Sequence, residues 1–592
     1  MGEAMDSESR VQRLDFGAWH KLSRFALPHR KPLLGLMAAG LVLAVSESLL
    51  PMLTAGIVDN AIGPQAGEGL AVYAVSYLAL VLFNASLIWF FIRAGGRAAT
   101  GIANDIRQAL FEHLQKLSFS FFDRNPVGWL MARVTSDTSR MASIIPWFLL
   151  DMVWGTAFIA MVSLMMLLLH WQLALLVMTT IPLLVLVTRI FQRKLLHSQR
   201  GVRRVNSRIT ARFNENITGI STSKALVREQ QNLQEFRELS GEMFHYAVIN
   251  KLQSSVYLPL MLAIGSSGVA LTLWYGGIRV GNGLSLGELV AFMQYAALFY
   301  IPIQEMSSTF TEFQSAQASA ERVQGLLQTR PEIQDASDHT QVPLRGPINE
   351  ISFQHVDFHY TPAEKILTDF SLDVKRGESI ALVGETGSGK STLVNLLARF
   401  YEPQRGRILI NGRDYREYHL LDLQSRLGMV LQSPHLFSGS IMENIRYGRL
   451  DASDREVREA AVQVRADEFI QQLEQGYQTL IGEGGSGLSA GQKQLVSLAR
   501  AVLADPDIFI LDEATSSIDT HSEHLIQQGI DKVMRGRISF VVAHRLSTIR
   551  SASRILVIHK GEIIEQGDHA GLLALRGSYY QLYRNQFALS DL

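Results

Sequence analysis

The chain contains 592 residues, more than one domain usually holds, so two or more folding units are expected. Lys plus Arg (55) equal Asp plus Glu (55), so no excess of positive charge favours binding to nucleic acid. The chain has no cysteine, which excludes disulfide bonds, thiolate metal sites and cysteine nucleophiles. Hydrophobic residues form 47% of the chain, which excludes a disordered protein.

The apolar residues concentrate in six segments, and all six lie before residue 304. A helix needs about 20 apolar residues to cross the hydrocarbon core of a bilayer. Six buried core helices of a soluble protein are the alternative interpretation, but their confinement to one half of the chain argues against it. The sequence therefore predicts six transmembrane helices, at residues 33–58, 70–92, 144–169, 171–190, 256–276 and 289–303.

The charges in the connections predict the orientation in the membrane. Residues 59–68 contain no Lys or Arg, the connection at His170 has none, and the last connection has only Arg279. The two long connections, residues 93–142 and 192–251, are rich in Lys and Arg. Because basic loops stay in the cytoplasm, both long connections and both termini are expected there.

The long connections have the apolar spacing of helices rather than of loops. Apolar residues recur every three or four positions from Ile106 to Leu117. The membrane helices are therefore expected to continue into the cytoplasm as helical hairpins. Pro126 and Gly128 place the first hairpin tip within residues 121–128, and the second tip is expected at 214–219.

The chain changes character after the last apolar segment. A polar, proline-containing stretch around residues 330–347 is typical of a linker, and short β-rich runs alternating with amphipathic helices follow it. The sequence therefore predicts a membrane domain at residues 1–335, a linker at 336–348 and an α/β domain at 349–592.

A glycine-rich loop in the α/β domain matches the P-loop pattern of nucleotide-binding proteins. A strand-like run at residues 379–383 precedes the loop and a helix at 393–400 follows it. Backbone amides of such a loop, with the helix N-terminus, bind phosphate oxygens. Lys390 is expected to reach the β- and γ-phosphates and Ser391 to bind Mg²⁺. The nucleotide-binding residues are Gly384, Glu385, Thr386, Gly387, Ser388, Gly389, Lys390, Ser391 and Thr392.

A second strand-like run, residues 508–511, ends in two carboxylates, Asp512 and Glu513. The carboxyl end of a strand is where α/β sheets bind their ligands. Asp512 is suited to hold Mg²⁺ through water, and Glu513 to orient and polarise the attacking water. Two carboxylates after a strand are common, but together with a P-loop they indicate a nucleoside triphosphatase.

A short motif upstream, Ser489, Ala490, Gly491 and Gln492, opens a helix. Helix capping by Ser489 is the simplest interpretation, and an anion site formed by Ser489 and the following amides is the functional one. With the P-loop and the two carboxylates, the motif resembles the ATP-binding cassette (ABC) transporter family, whose signature reads LSGGQ. The resemblance covers nearly the whole chain.

Further residues match the family's motifs one by one. Tyr360 occupies the position of an aromatic residue that stacks on adenine, with a core or edge tyrosine as the alternative. Gln432 resembles the glutamine that contacts Mg²⁺ and senses the membrane domain. Asp519 resembles part of the loop that follows the catalytic carboxylate, and His544 the histidine that contacts the γ-phosphate.

The resemblance implies an exporter half-transporter with six membrane helices, long cytoplasmic extensions and one cassette, working as a dimer in the bacterial inner membrane. Two ATP molecules held between the cassettes would close them and turn the helices outward, and hydrolysis would reset them. Glu513, His544 and Gln432 would be catalytic, and the signature Ser489 to Gln492 would complete the partner's ATP site.

The signature departs from the family pattern at Ala490, where glycine is usual, and the helix after it has Leu495 where arginine is common. A Cβ at position 490 narrows the space for a phosphate, whereas Glu513 is intact. This combination resembles the multidrug half of heterodimeric bacterial exporters of the MdlB type. A heterodimer is therefore favoured over a homodimer, with tolerance of alanine in two equal subunits as the alternative.

The sequence identifies the substrate least well. Charged residues inside spans are costly, so Glu47 and Asp151 are candidate cavity residues for hydrophobic or amphipathic drugs, lipids or peptides. A soluble cassette ATPase is excluded by the six segments, and an importer is disfavoured by the fusion of both parts. An ATP-gated channel or membrane regulator remains the alternative function.

Overall fold

The computed structural model describes residues 16–62, 69–280, 283–335, 342–512, 520–543 and 546–586. The chain divides into two compact units. The helical unit comprises Met1–Gln115 and Val127–Thr329, and the α/β unit comprises Lys116–Pro126 and Arg330–Leu592. A short segment that lies between two helices of the helical unit in sequence therefore belongs to the α/β unit.

The helical unit consists of long helices joined by short turns. A π-helical turn at Thr272–Gly276 follows the helix Glu229–Leu271, and another at Arg133–Asp137 precedes the helix Thr138–Met178. The helices are α1 (Phe16–Leu22), α2 (Arg30–Ile62), α3 (Leu70–Gln115), α5 (Val127–Ala132), α6 (Thr138–Met178), α7 (Thr180–Thr218), α8 (Ile220–Ala225), α9 (Glu229–Leu271), α10 (Gly277–Arg279), α11 (Leu286–Leu298) and α12 (Ile301–Gln328), while α4 (Phe119–Arg124) lies in the α/β unit.

Five helical stretches among the described residues are long and apolar enough to cross a membrane: Leu27–Ile62, Leu70–Gln115, Val127–Met178, Glu229–Arg279 and Leu286–Gln328. The predicted span at 171–190 is not one of them. The connection between the third and fourth spans is predicted at His170, and this residue has non-helical backbone angles. The next helix, α7, begins only at Thr180. The apolar residues of this span are thus divided between two helices, and α7 soon becomes basic at Arg189, Arg193 and Lys194.

The helical reversals lie close to the predicted tips. At the first, α4 ends at Arg124, Asn125 adopts extended angles, and α5 begins after Pro126. At the second, α7 continues through the predicted tip to Thr218, and the chain reverses through α8 before α9 starts at Glu229. The later reversal has a local cause, since Gly219 is the first residue that leaves helical angles.

The packing of α2 against α11 is fixed by a carboxylate at a helix N-terminus. Ser285 caps α11 in a reciprocal capping box with Glu288. Asp59 of α2 accepts hydrogen bonds from the Ser285 hydroxyl (2.6 Å) and the Gly287 amide (2.7 Å). Further along both helices, the buried Tyr295 donates to the carbonyl of Ser48 (2.6 Å). These contacts hold the two helices in one register.

The α/β unit has two main sheets. The strands of this unit are β1 (Glu350–Thr361), β2 (Glu364–Lys375), β3 (Ser379–Val383), β4 (Arg405–Ile410), β5 (Arg413–Asp414), β6 (Leu427–Val430), β7 (Gly439–Ser440), β8 (Leu480–Ile481), β9 (Ile508–Asp512), β10 (Ile538–Val542), β11 (Arg554–His559) and β12 (Glu562–Gly567). The four-stranded antiparallel sheet has the order β2-β1-β4-β5. The six-stranded sheet has the order β12-β11-β3-β10-β9-β6, in which only β12 is antiparallel to its neighbour.

Helices cover the six-stranded sheet, as parallel strands with buried faces require. The three central residues of β3, of β9 and of β10 are completely inaccessible to solvent. The helices of this unit beyond α4 are α13 (Lys390–Leu397), α14 (Leu420–Gln424), α15 (Ile441–Arg446), α16 (Asp454–Gln463), α17 (Ala466–Gln471), α18 (Ala490–Leu503), α19 (Thr520–Met534), α20 (Leu546–Ser551), α21 (His569–Leu575) and α22 (Ser578–Gln586).

Candidate functional site

The predicted P-loop connects β3 to α13, as the sequence pattern indicates. Gly384 and Gly389 have φ angles of +155° and +104°, which glycine adopts most readily. A Cβ at Gly384 would lie 2.2 Å from the carbonyl oxygen of Ile558, so the neighbouring strand also requires glycine there. The loop can therefore turn tightly, and its backbone amides can face a phosphate at the N-terminus of α13.

The side chain of Lys390 is folded into this loop. Its ammonium donates hydrogen bonds to the carbonyls of Gly384 (2.8 Å) and Glu385 (2.7 Å). Burial lowers the pKa of Lys390, and the negative charge of Asp512 opposes that shift. The cation therefore lies beside the loop that is expected to hold phosphates, within electrostatic range of the carboxylate at the end of β9.

The order of strands in the sheet brings the other predicted residues to the same edge. Strands β3, β10, β9 and β6 are consecutive and parallel, so their carboxyl ends meet at one edge. The P-loop follows β3, Asp512 ends β9, and Gln432 follows β6 and is exposed. Three segments far apart in sequence thus converge on one edge.

Tyr360 reaches this region from the four-stranded sheet. It lies near the end of β1, and its hydroxyl donates to the hydroxyl of Thr392 in α13 (3.2 Å). Its ring is half-exposed (40%), which leaves surface available for stacking on a base. The structure thus brings the predicted aromatic residue next to the P-loop helix, as adenine stacking requires.

The signature residues begin α18, and Ser489 caps the helix. The Ser489 oxygen accepts from the amide of Gln492 (3.3 Å), and the Gln492 side chain accepts from the amide of Ser489 (2.9 Å). Ser489 and Ala490 are exposed, and Gly491 is buried. Leu495, which departs from the family pattern, is 2% exposed and packs in the hydrophobic core beneath the helix. Ser489 thus caps α18, and the first residues of this helix remain accessible to solvent.

Three predicted site residues, Glu513, Asp519 and His544, lie outside the described residues. Glu513 follows Asp512 directly, and His544 follows the last residues of β10. Their roles stay predictions.

The two candidate cavity residues each contact a side chain of the same chain. Glu47 of α2 accepts a hydrogen bond from the indole nitrogen of Trp154 (3.1 Å). Asp151, one turn before Trp154 on α6, accepts a hydrogen bond from the hydroxyl of Thr309. Glu47 therefore connects α2 to α6, and Asp151 connects α6 to α12.

Sequence reasoning did not assign a site role to α4, and the structure shows that it packs inside the α/β unit. Phe119 stacks on Phe400 with ring centroids 4.9 Å apart, and Asp123 accepts a hydrogen bond from the buried Tyr401. Glu332 accepts from Ser120 (2.6 Å) and from Arg124 (2.7 Å). An aromatic residue, Phe119, and an acidic residue, Asp123, close to the predicted hairpin tip are the sequence signal of this docking.

The residues present fit a magnesium–nucleotide complex better than an all-protein metal site. Among the described residues, no group of three or more His, Asp or Glu side chains is placed to hold a metal ion. The P-loop instead offers an open cradle, since a Cβ at Gly387 would meet no atom within 4 Å, and the Ser391 side chain beside it is exposed. Mg²⁺ typically binds through one or two protein oxygens together with phosphates and water, which suits this site.

Comparison with known proteins agrees with this geometry. Residues 33–303 match the family model described as ABC transporter transmembrane region, and residues 367–516 match the model described as ABC transporter. A fatty acid ABC transporter ATP-binding/permease protein of Mycobacterium tuberculosis is 38% identical over 508 residues, 86% of this chain and 80% of the relative.

Two further relatives have similar coverage. An ATP-dependent lipid A-core flippase of Syntrophus aciditrophicus is 33% identical over 577 residues, 97% of this chain and 95% of the relative. A probable multidrug resistance ABC transporter ATP-binding/permease protein of Bacillus subtilis is 36% identical over 494 residues, 83% and 73% of the two chains. With a transmembrane region and a nucleotide-binding unit fused in one multi-pass membrane protein, the chain belongs to the ABC transporters, as an ATP-hydrolysing exporter of the lipid or multidrug type.

Proposed function

We propose that this chain is one half of a dimeric exporter that moves hydrophobic or amphipathic molecules out of the bacterial cytoplasm or inner leaflet. The observation that supports it best is the combination of a P-loop, with Lys390 folded into it within electrostatic range of Asp512, and five long apolar helices among the described residues. Neither feature alone requires transport, but their fusion links ATP hydrolysis to membrane-spanning helices.

The exporter works by alternating access in this proposal. ATP binds to the P-loop of one subunit and to the signature of the other, so that closure of the dimer turns the helices outward. Hydrolysis removes the contacts that stabilise the closed state and resets it, which is a ligand-driven population shift. The exposure of Ser489 and Ala490 supports this, because a signature that serves a second subunit must be accessible.

The nucleotide site in this proposal draws its residues from several segments of the α/β unit. Tyr360 stacks the adenine, residues Gly384 to Thr392 hold the phosphates, and Gln432 and His544 contact the nucleotide from two further segments. Ser391 and Gln432 would hold Mg²⁺, with Asp512 acting through water, and Glu513 would orient the attacking water. Bound Mg²⁺ neutralises charge on the β- and γ-phosphates.

The partner is a second, different half-transporter in this proposal. Ala490 places a methyl group at the exposed start of the signature helix, where it narrows the approach of a phosphate. Of the two ATP sites in the dimer, the one completed by this signature would bind ATP but hydrolyse it slowly. The other site, formed by the P-loop of this chain and the signature of the partner, would hydrolyse ATP well. The alternative is a homodimer with two equal sites.

The substrate carries a long apolar part. The similar proteins are named for fatty acids, lipid A-core and multidrug resistance. The first two names denote amphipathic molecules with long apolar chains, and we infer a substrate of this kind. Glu47 and Asp151 are the polar groups that α2 and α6 offer to such a substrate, and Trp154 stacks on Phe158 beside them (5.5 Å).

Both termini and both long hairpins lie in the cytoplasm of the bacterial cell in this proposal.

Transport in sealed vesicles tests the proposal. The complete dimer is reconstituted, and ATP-driven movement of a fluorescent acyl lipid and of a lipophilic cationic dye is compared with the Glu513→Gln variant. The expected result is movement against a gradient that the variant lacks. Normal ATP hydrolysis without movement of either probe would refute export of these classes, and movement only down a gradient without matching ATP turnover would support the channel alternative.

Purification from the native membrane tests the dimer. A tagged form of this chain is expected to co-purify with a second half-transporter in equal amounts. Recovery of this chain alone, as a dimer, would establish the homodimer instead.

A further inference from the structure

The end of the P-loop helix connects the proposed adenine-binding residue to the α4 segment. Helix α13 ends near Leu397, Arg399 adopts a left-handed φ of +53°, and Phe400 and Tyr401 follow directly. Arg399 is buried and donates to Glu402 (2.8 Å), which fixes this turn. The helix that begins at the P-loop is therefore followed directly by two aromatic residues in a fixed turn.

Tyr401 makes a different contact with each end of its side chain. Its ring packs edge to face with Tyr360, with centroids 5.0 Å apart and an interplanar angle of 88°. Phe358 packs perpendicular to Tyr360 as well (4.9 Å), so two rings restrict the orientation of the Tyr360 ring. Aromatic pairs of this geometry are favourable beyond the area they bury.

The hydroxyl group of Tyr401 holds α4. It donates a hydrogen bond to the carboxylate of Asp123, and Tyr401 itself is only 9% exposed. Burial, together with the Asp123 charge, raises the pKa of Tyr401, so the group stays a proton donor at every physiological pH. Hydrogen bonds to a charged acceptor are stronger than neutral ones.

The α4 segment is joined through the chain to two helices of the helical unit, so a shift of α4 would pull on both. It follows α3 and precedes α5 in sequence, and both belong to the helical unit. Within the α/β unit, α4 is fixed by Phe119 on Phe400, by Glu332 and by the Tyr401 hydroxyl. Of these contacts, only the one from Tyr401 also reaches the proposed base-binding residue.

We propose that Tyr401 is a positioning residue that couples recognition of the nucleotide base to the docking of α4. Its ring orients Tyr360 for stacking, and its hydroxyl transmits the resulting shift to Asp123. Because coupling between two sites is reciprocal, docking of α4 also changes affinity for the base. This inference rests on the proposed function, in which Tyr360 stacks the adenine.

The chain has no cysteine, so a single label can report on α4. Phe122 is 40% exposed, and a Phe122→Cys variant of the full-length dimer carries an environment-sensitive fluorophore there. The label is titrated with ATP and with inorganic tripolyphosphate, which has the phosphates but no base. The label is expected to respond to ATP and to show a much smaller response to tripolyphosphate.

Two substitutions separate the contacts of Tyr401. Tyr401→Phe keeps the ring and removes the hydroxyl, so nucleotide affinity is expected to change less than about threefold, while the response of the label falls by about fivefold or more. Tyr401→Leu removes both contacts and is expected to weaken ATP binding as well, without weakening tripolyphosphate binding. Asp123→Asn, which keeps an acceptor, is expected to retain part of the response.

An unchanged response in Tyr401→Phe, or equal responses of the parent to ATP and tripolyphosphate, would overturn the inference. If Tyr401→Phe does not fold, Asp123→Leu tests the same hydrogen bond from the other side. Failure of the proposed function is a separate outcome, because the unsubstituted dimer would then hydrolyse ATP without moving a probe across the vesicle membrane.

Discussion

Arg322 of α12 holds the carboxylate of Asp137 through two hydrogen bonds, of 2.9 Å and 2.6 Å. Asp137 is 6% exposed, and it also accepts from Arg133 (2.7 Å) and from the hydroxyl of Ser319 (2.8 Å). A charge this deeply buried persists only when its hydrogen-bonding capacity is satisfied. The cluster therefore joins the π-helical turn before α6 to α12.

Arg322→Met is expected to destabilise the protein by about 3–5 kcal/mol, because it leaves Asp137 buried with half of its compensating charge. Thermal unfolding of the detergent-solubilised protein measures the loss. Arg208→Met is the matched control, since it breaks an exposed ion pair with Glu242, and its cost should stay below about 1 kcal/mol. Equal effects of the two substitutions would contradict the assignment of Asp137 as a structural centre.

Gly287 allows the close approach of α11 to α2. A Cβ at this position would lie 2.2 Å from the carbonyl oxygen of Ala55, a backbone atom that cannot move aside easily. Gly287→Ala is therefore expected to lower stability by about 1–3 kcal/mol through overpacking. Gly277→Ala is the control, because a Cβ there meets no atom within 4 Å, and its unfolding temperature should equal or exceed that of the parent.

Lys390→Ala is expected to weaken ATP binding by about tenfold or more, since it removes a charge-assisted contact to the phosphates. The substitution also frees the carbonyls of Gly384 and Glu385, which the ammonium contacts directly. Equilibrium binding of a fluorescent ATP analogue measures the effect. An affinity equal to that of the parent would show that the ammonium does not leave its contacts with the loop to meet the nucleotide.

Ser489 and Ser453 distinguish capping from anion binding. Both serines form a reciprocal capping box, Ser489 with Gln492 and Ser453 with Glu456. Alanine at either position should cost about 1 kcal/mol of stability through the lost cap. Only Ser489→Ala is expected to lower ATP turnover. If both variants retained full turnover, the role of Ser489 would be limited to capping.

His569 makes the C-terminal helices sensitive to acid. Its Nδ1 lies 2.7 Å from the hydroxyl of Tyr579, and burial, together with the charge of Arg550, lowers the pKa of His569. Because the unfolded state then binds the proton more readily, stability falls as the pH drops below the unfolded pKa of about 6.5. His569→Gln should reduce the decline in unfolding temperature between about pH 7.5 and 5.5, relative to the parent.

Much of the nucleotide site is predictable because its signals are local. Residues Gly384 to Thr392 combine turn-forming glycines, a preceding strand and a following helix, and the strand at 379–383 has the bounds that the structure shows. The cap at Ser489 is local as well, since donor and acceptor lie three residues apart. The helices were less predictable at their ends: α7 continues to Thr218, and α13 spans Lys390–Leu397 where a helix at 393–400 is predicted.

The apolar segments, the P-loop and the helix cap at Ser489 could be predicted from the sequence, because each arises from residues close together in the chain. Export was implied by the resemblance to the ABC transporter family, which those local patterns do not show. The fold was needed to show that Tyr401 lies against Tyr360 and holds Asp123, that Arg322 pairs with Asp137, and that Gly287 lies close to Ala55. These partners are separated by 41 to 278 residues, and no pattern of propensity or period encodes a contact between such distant side chains. Such contacts appear only when the sheet order and the helix packing are complete.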